Sequence, residues 1–400
     1  MKYLNLLAAL LAVAPLSLAA PSIEARQSNV NPYIGKSPLV IRSYAQKLEE
    51  TVRTFQQRGD QLNAARTRTV QNVATFAWIS DTNGIGAIRP LIQDALAQQA
   101  RTGQKVIVQI VVYNLPDRDC SANASTGEFT VGNDGLNRYK NFVNTIAREL
   151  STADADKLHF ALLLEPDALA NLVTNANAPR CRIAAPAYKE GIAYTLATLS
   201  KPNVDVYIDA ANGGWLGWND NLRPSAELFK EVYDLARRIN PNAKVRGLAV
   251  NVSNYNQYRA EVREPFTEWN DAWDESRYVN VLTPHLNAVG FPAHFIVDQG
   301  RGGKGGIRTE WGQWCNVRNA GFGIRPTADQ GVLQNPNVDA IVWVKPGGES
   351  DGTSDLNSNR YDPTCRSPVA HVPAPEAGQW FNEYVVNLVL NANPPLEPTW

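Results

Sequence analysis

Seven short runs rich in apolar and β-branched residues recur along the chain, at Thr75–Ile79, Val106–Val112, Leu158–Leu164, Val204–Ile208, Val245–Val250, His294–Val297 and Ala340–Val344. Most are continuously apolar instead of alternating with polar residues, which is the mark of strands buried on both faces. Between and around them lie stretches with apolar residues at three- and four-residue steps, the stripe of an amphipathic helix. These are Ile41–Gln57, Ile88–Gln99, Leu136–Leu150, Ala187–Leu199, Ala226–Ile239, Glu275–Val289 and a last one near Trp380–Leu390. Strand and helix in alternation predict an α/β fold with a parallel sheet, closed or nearly closed into a TIM-like barrel of seven strands. A doubly wound open sheet is the rival architecture.

A chain of 400 residues with 44% hydrophobic and 19% charged residues has enough apolar side chain for one large core, and 27 Gly with 25 Pro leave room for long loops. No repeat, linker or charge block divides it, so a single domain is expected over 30–400. Ahead of it, Met1-Lys2, the apolar run Leu6–Leu18 and the small residues Ala19 and Ala20 have the order of a secretory signal. A signal peptide over 1–19 and a leader or short pro-segment over 20–29 are therefore expected, with a secreted, monomeric product. Lys+Arg 38 against Asp+Glu 39 gives a net charge of −1, which provides no field to attract nucleic acid or an anionic membrane. Four widely spaced cysteines, Cys120, Cys181, Cys315 and Cys365, suit two disulfides in an exported protein, with three connectivities open. Sequons at Asn123 and Asn251 permit glycosylation where exposed.

In parallel β/α folds the loops after the strands' C-terminal ends build the site. Asp119, Asp167, Asp209, Asp298 and Asp351 all stand at or just beyond such ends. Any one of them is more simply an ion-pair member, a cap or a turn former. Five at one kind of position are expected to meet on one rim, where mutual repulsion keeps a proton on one carboxyl and so supplies a general acid beside an ionised partner. Of the ten tryptophans, Trp78, Trp215, Trp218, Trp311 and Trp314 fall on the same rim, suited to stacking on flat apolar ligand faces, whereas Trp343 and Trp380 read as core. Acids with stacking aromatics point to a sugar polymer. Gly300, Gly302 and Gly305 match GxGxxG, but the next residues, IRTEWGQWCN, lack a helical pattern, so these glycines are read as shaping a loop. His159, His285, His294 and His371 show no ligand spacing and no GxSxG is present. No metal and no cofactor is expected.

The blocks VVYNLPDRDCSANASTGEF (Val111–Phe129), LLLEPDALANLVTN (Leu162–Asn175), DAANGGWLGW (Asp209–Trp218), EWGQWCN (Glu310–Asn316) and VWVKPGGESDGTSD (Val342–Asp355) resemble the signatures of glycoside hydrolase family 6, in order over nearly the whole mature chain. The resemblance is to the fungal cellobiohydrolases of that family. It implies a distorted seven-stranded β/α barrel and inverting hydrolysis of β-1,4-glucosidic bonds in cellulose from non-reducing ends, with an open-cleft endoglucanase as the second reading. It implies Asp167 as general acid and Asp119 as the carboxylate that keeps that acid protonated, steadies positive charge at the sugar carbon and accepts a proton through a water chain. Asp351 is the other candidate base, flanked by Arg118 and Lys345. An inverting pair leaves room for a water, at about 6.5–9.5 Å between carboxyls. Tyr113, Ser125, Asp209, Lys345 and Glu349 match positions near the cleavage point, and Trp78, Trp215, Trp218 and Trp314 match glucose platforms. Asn212 stands where well-known members carry His, and Ser350 where some carry a further Cys, which leaves the pairs Cys120–Cys181 and Cys315–Cys365. The cellulose-binding module of many relatives has no counterpart, so weaker adhesion to crystalline cellulose is expected. Two long segments, Cys120–Gly135 and Lys345–Trp380, are expected to roof the cleft.

Overall fold

Val106, Val108, Ile110 and Val112 point to one side of their strand and Ile107, Gln109 and Val111 to the other, and all seven are buried. That is why the run shows no alternation. The inward set meets Phe76, Ala161, Leu163, Tyr207, Ala249, Ile296, Ala340 and Val342 inside a curled sheet. The outward set meets the helices that surround it.

The structure is a computed structural model that describes residues 30–400; the expected signal peptide and leader lie outside the described residues. Within them, Pro32–Trp400 form one compact unit. The strands are β1 (Lys36–Pro38), β2 (Ala77–Ile79), β3 (Lys105–Val112), β4 (His159–Leu164), β5 (Val204–Asp209), β6 (Gly247–Val250), β7 (Phe295–Asp298) and β8 (Val338–Val342). All pair in parallel, in sequence order from β3 to β8. All seven expected strands are present. The added one, β1, has the unremarkable sequence KSP. It pairs with Lys105–Ile107 while β2 pairs with Ile110–Val112, so the two share one edge of β3 and together make a single column. Seven columns result.

The curl does not close by strand pairing. At the seam between β2 and β8 the Phe76 N–H donates to the Trp343 carbonyl at 3.2 Å, and the Trp78 indole N–H to the Val344 carbonyl at 3.0 Å. Helices α1 (Arg42–Gln57), α2 (Gln61–Val70) and a C-terminal helix, Asn382–Leu390, cover this side through Leu48, Val52, Phe55, Tyr384, Val385 and Leu388. Trp343 belongs to this packing, stacked on Phe322 with ring centroids 4.8 Å apart, as its core assignment predicts.

The outer helices include α3 (Ile88–Thr102), α4 (Gly135–Glu149), α5 (Ala168–Thr174), α6 (Pro179–Leu199), α7 (Asn219–Ile239) and α8 (Glu275–Val289). Two start earlier than their apolar periodicity predicts. The stripes of α6 and α7 begin just beyond Pro186 and Pro224, yet both helices run through their prolines. An internal proline costs a helical hydrogen bond and about 3 kcal/mol. The burial of Cys181 and Leu222 in the first turns, Cys181 in a disulfide as well, offsets that cost.

Candidate active site

At the end of β4 the backbone passes through two left-handed residues, Glu165 (φ 50°) and Asp167 (φ 67°), before α5 begins. Non-glycine residues rarely adopt this conformation, and buried hydrogen bonds hold it here. The Glu165 carboxylate accepts the N–H groups of Asn114 at 3.1 Å and Leu115 at 3.2 Å and the Tyr139 hydroxyl at 2.8 Å, tying the loop after β3 to the end of β4. Asp209, at the end of β5, accepts the Asp167 N–H at 2.9 Å and the Ala211 N–H at 3.1 Å. Asp119, also left-handed at φ 55°, is hydrogen-bonded by Tyr113 and Ser125.

Asp119, Asp167 and Asp351 line one cavity of about 420 Å³ with Trp78, Tyr113, Ser125, Asn212, Trp215, Trp314 and Lys345. A second cavity of about 340 Å³ adjoins it, sharing Trp78, Tyr113, Ser125 and Lys345 and adding Glu349. Of the residues expected at the site, Asp209 and Trp218 line neither. Asp209 lies directly behind Asp167. Trp218, half-buried ahead of α7, donates its indole N–H to the Gly214 carbonyl at 3.0 Å.

Asp298 departs from the expected rim. It is buried and accepts four backbone N–H groups, from Gly300, Ser253, Val344 and Lys345, at 2.9–3.2 Å. It organises loops. The arginine assigned to Asp351 is also corrected. Arg118 bonds the carbonyls of Ser80, Tyr113 and Ser125. The guanidinium on Asp351 is that of Arg301, at 2.7 Å, joined by the Tyr255 hydroxyl at 2.9 Å and the Asn316 N–H at 2.8 Å, with Lys345 Nζ at 3.7 Å. Arg301 stands inside the glycine-rich segment whose sequence draws notice for its glycines alone, and nothing local in the sequence marks a partner 50 residues away. Asn171, Ser253 and Asn254 also line the cavity without a signal in the sequence. Trp311 lines it as well, edge-on to Phe266 at 5.2 Å, and so close to Gly214 that a Cβ there would lie 1.8 Å from the indole.

Burial, followed by repulsion from Asp209 and Asp119, pushes the Asp167 carboxyl well above the usual carboxylate range. Burial likewise raises Asp209, to about 7, against the two N–H groups it accepts. Asp119 is raised too, burial outweighing Arg118 and the hydroxyls of Tyr113 and Ser125. Asp351 goes the other way: burial pushes it up, but Arg301 and Lys345 together hold it below the ordinary value. The arrangement therefore keeps at least one proton on the Asp119–Asp167–Asp209 group and a negative charge on Asp351.

Disulfides Cys120–Cys181 and Cys315–Cys365 tie the loop after Asp119 to α6 and the loop after β7 to the segment beyond Asp351. The two long segments touch: the Asn123 N–H donates to Asp362 at 3.4 Å, and a Cβ on Gly352 would lie 2.9 Å from that of Ala124. Asn123 is exposed, but Asn251 is fully buried and donates to the carbonyls of Asn256 and Asp298, so the second sequon offers no acceptor in the folded chain.

The chain is 47% identical over 372 residues to the 1,4-beta-D-glucan cellobiohydrolase CEL6B of Podospora anserina, covering 92% of this chain and 84% of that one. It is 45% identical over 365 residues to Endoglucanase-6B of Humicola insolens, covering 91% and 98%. Among solved structures it resembles CcCel6C, a glycoside hydrolase family 6 enzyme from Coprinopsis cinerea, with a TM-score of 0.92 and 70% identity, over 93% of this chain and 100% of that one. The family description "Glycosyl hydrolases family 6" matches residues 33–392, and the chain belongs to that family.

Proposed function

We propose that the protein is a secreted, inverting cellulase that cleaves β-1,4-glucosidic bonds and releases cellobiose from non-reducing chain ends. The observation that carries the reading is Asp167, a half-buried carboxyl whose surroundings favour its protonated form, beside two further carboxyls in a cavity walled by tryptophans. Indole faces of Trp78, Trp215 and Trp314 suit the apolar faces of glucosyl rings, while Tyr113, Ser125, Asn212, Lys345 and Glu349 offer hydrogen bonds to their hydroxyls.

Asp167 gives its proton to the glycosidic oxygen as the bond from that oxygen to the anomeric carbon breaks. A water adds to the opposite face of the same carbon, inverting it. Its proton passes through further water to Asp119, which is free to accept once Asp167 has lost its own. Asp351 is the other candidate base. Its ion pairs with Arg301 and Lys345 reduce its proton affinity, which favours a role in steadying positive charge at the anomeric carbon.

Replacing Asp167→Ala removes the acid and is expected to lower kcat on cellotetraose by about 10²–10⁴-fold, with binding of the same oligosaccharide retained. Proton NMR of the wild-type reaction is expected to show the α-anomer first. Unchanged turnover in the variant, or an initial β product, sinks the assignment.

A further inference from the structure

Trp269 has the most exposed large apolar side chain among the described residues, at 83%, and its backbone is left-handed at φ +71°. Burial does not favour an indole there, and for a bulky side chain this conformation is a rare outlier that glycine would relieve. The residues beside it are firmly held. Asn270 is buried, donates from its side chain to the Gly213 carbonyl at 2.9 Å and accepts the Ala272 N–H at 2.8 Å. Thr267, also buried, bonds the Glu264 carbonyl at 2.6 Å. A rigid segment thus holds an indole out in solvent.

That segment continues the wall of the cavity. Gly213 lies between Asn212 and Gly214, both lining residues, and Phe266 meets the lining Trp311 edge-on. Ala272 packs so tightly on Gly217, between Trp215 and Trp218, that a Cβ at Gly217 would lie 2.4 Å from its own. Exposed Glu268 and Asp271 stand beside Trp269 in the chain, and the guanidinium of exposed Arg263 bonds the Thr267 and Asn270 carbonyls, so the segment has no single-sign field for a charged polymer or lipid surface and suits an uncharged, hydroxyl-rich one.

We propose that Trp269 is an external aromatic platform that stacks on glucosyl rings of the insoluble polymer outside the cleft, adding grip on cellulose without taking part in the bond cleavage. The inference rests on the cellulase reading given above. Strain and exposure persist together at this position because the indole's partner is the substrate surface.

The test uses the full chain with Trp269→Gly, which relieves the backbone, and Trp269→Tyr, which keeps an aromatic face. The partition coefficient on microcrystalline cellulose is expected to fall about three- to tenfold in the glycine variant and to stay near wild type in the tyrosine variant. Turnover of soluble cellotetraose is expected to be the same in all three proteins. A glycine variant that adsorbs like wild type overturns the proposal, as does a tyrosine variant that adsorbs no better than the glycine one. A wild-type dimer in sedimentation that Trp269→Gly makes monomeric also overturns it, since the indole would then cover a second copy. Failure of the wild type to hydrolyse cellotetraose counts against the cellulase reading alone, and the adsorption comparison still decides the platform.

Discussion

Half-buried Asp167 and buried Asp351 line one cavity, and their surroundings push their protonation in opposite directions. Desolvation, and after it the charge of Asp209 when ionised, favours the proton on Asp167, while an Asp209 oxygen holds the Asp167 N–H. Replacing Asp209→Asn preserves an acceptor and removes the charge. Because activity needs protonated Asp167, and its raised pKa sets the alkaline limit, the high-pH limb of kcat/KM is expected to move to lower pH, read from a pH–rate profile. Arg301→Met leaves Asp351 buried with only Lys345 as a cation, and is expected to cost about 3–5 kcal/mol in denaturant unfolding, with much of it regained in the double variant with Asp351→Asn. Sequence alone brought Asp119, Asp167 and Asp351 to one rim because each follows a strand. The resemblance supplies an arginine for Asp351, read in the sequence as Arg118, whereas Arg301 reaches Asp351 only through folding.

At the level of elements, strands were more readable than helix starts. Burial on both sides writes itself into a strand as a continuous apolar run, but Pro186 and Pro224 look like stops unless the packing that overrides them is known. Strand β1 carries no apolar signal at all, since it completes a column that β2 only half fills. Contact between the segments holding Asn123 and Asp362 favours threading of a chain end over internal attack. With a soluble cellulose derivative, viscosity is therefore expected to fall slowly relative to cellobiose released; a rapid fall with little cellobiose would favour the endoglucanase reading.

Across the whole molecule, buried carboxyls raised by burial outnumber those lowered within the core around the site. Glu165, Asp209 and Glu275 are each pushed up to about 7 by burial, against the N–H, hydroxyl or amide groups that bond them. A carboxyl whose folded pKa is raised binds its proton more tightly in the native state, so stability is lost as pH rises from the unfolded value near 4 towards 7. Asp351, lowered, works the other way, with its contribution lost at acid pH. The balance predicts a melting temperature that declines from about pH 5 to pH 8, measurable by calorimetry. Trp78 adds a mechanical point. Its indole N–H makes one of the bonds that join the first and last columns of the barrel, and its ring forms a wall of both cavities. A sugar that drags on that ring tugs at the fastening of the barrel itself, so traction on the polymer and the grip between those columns share a single latch.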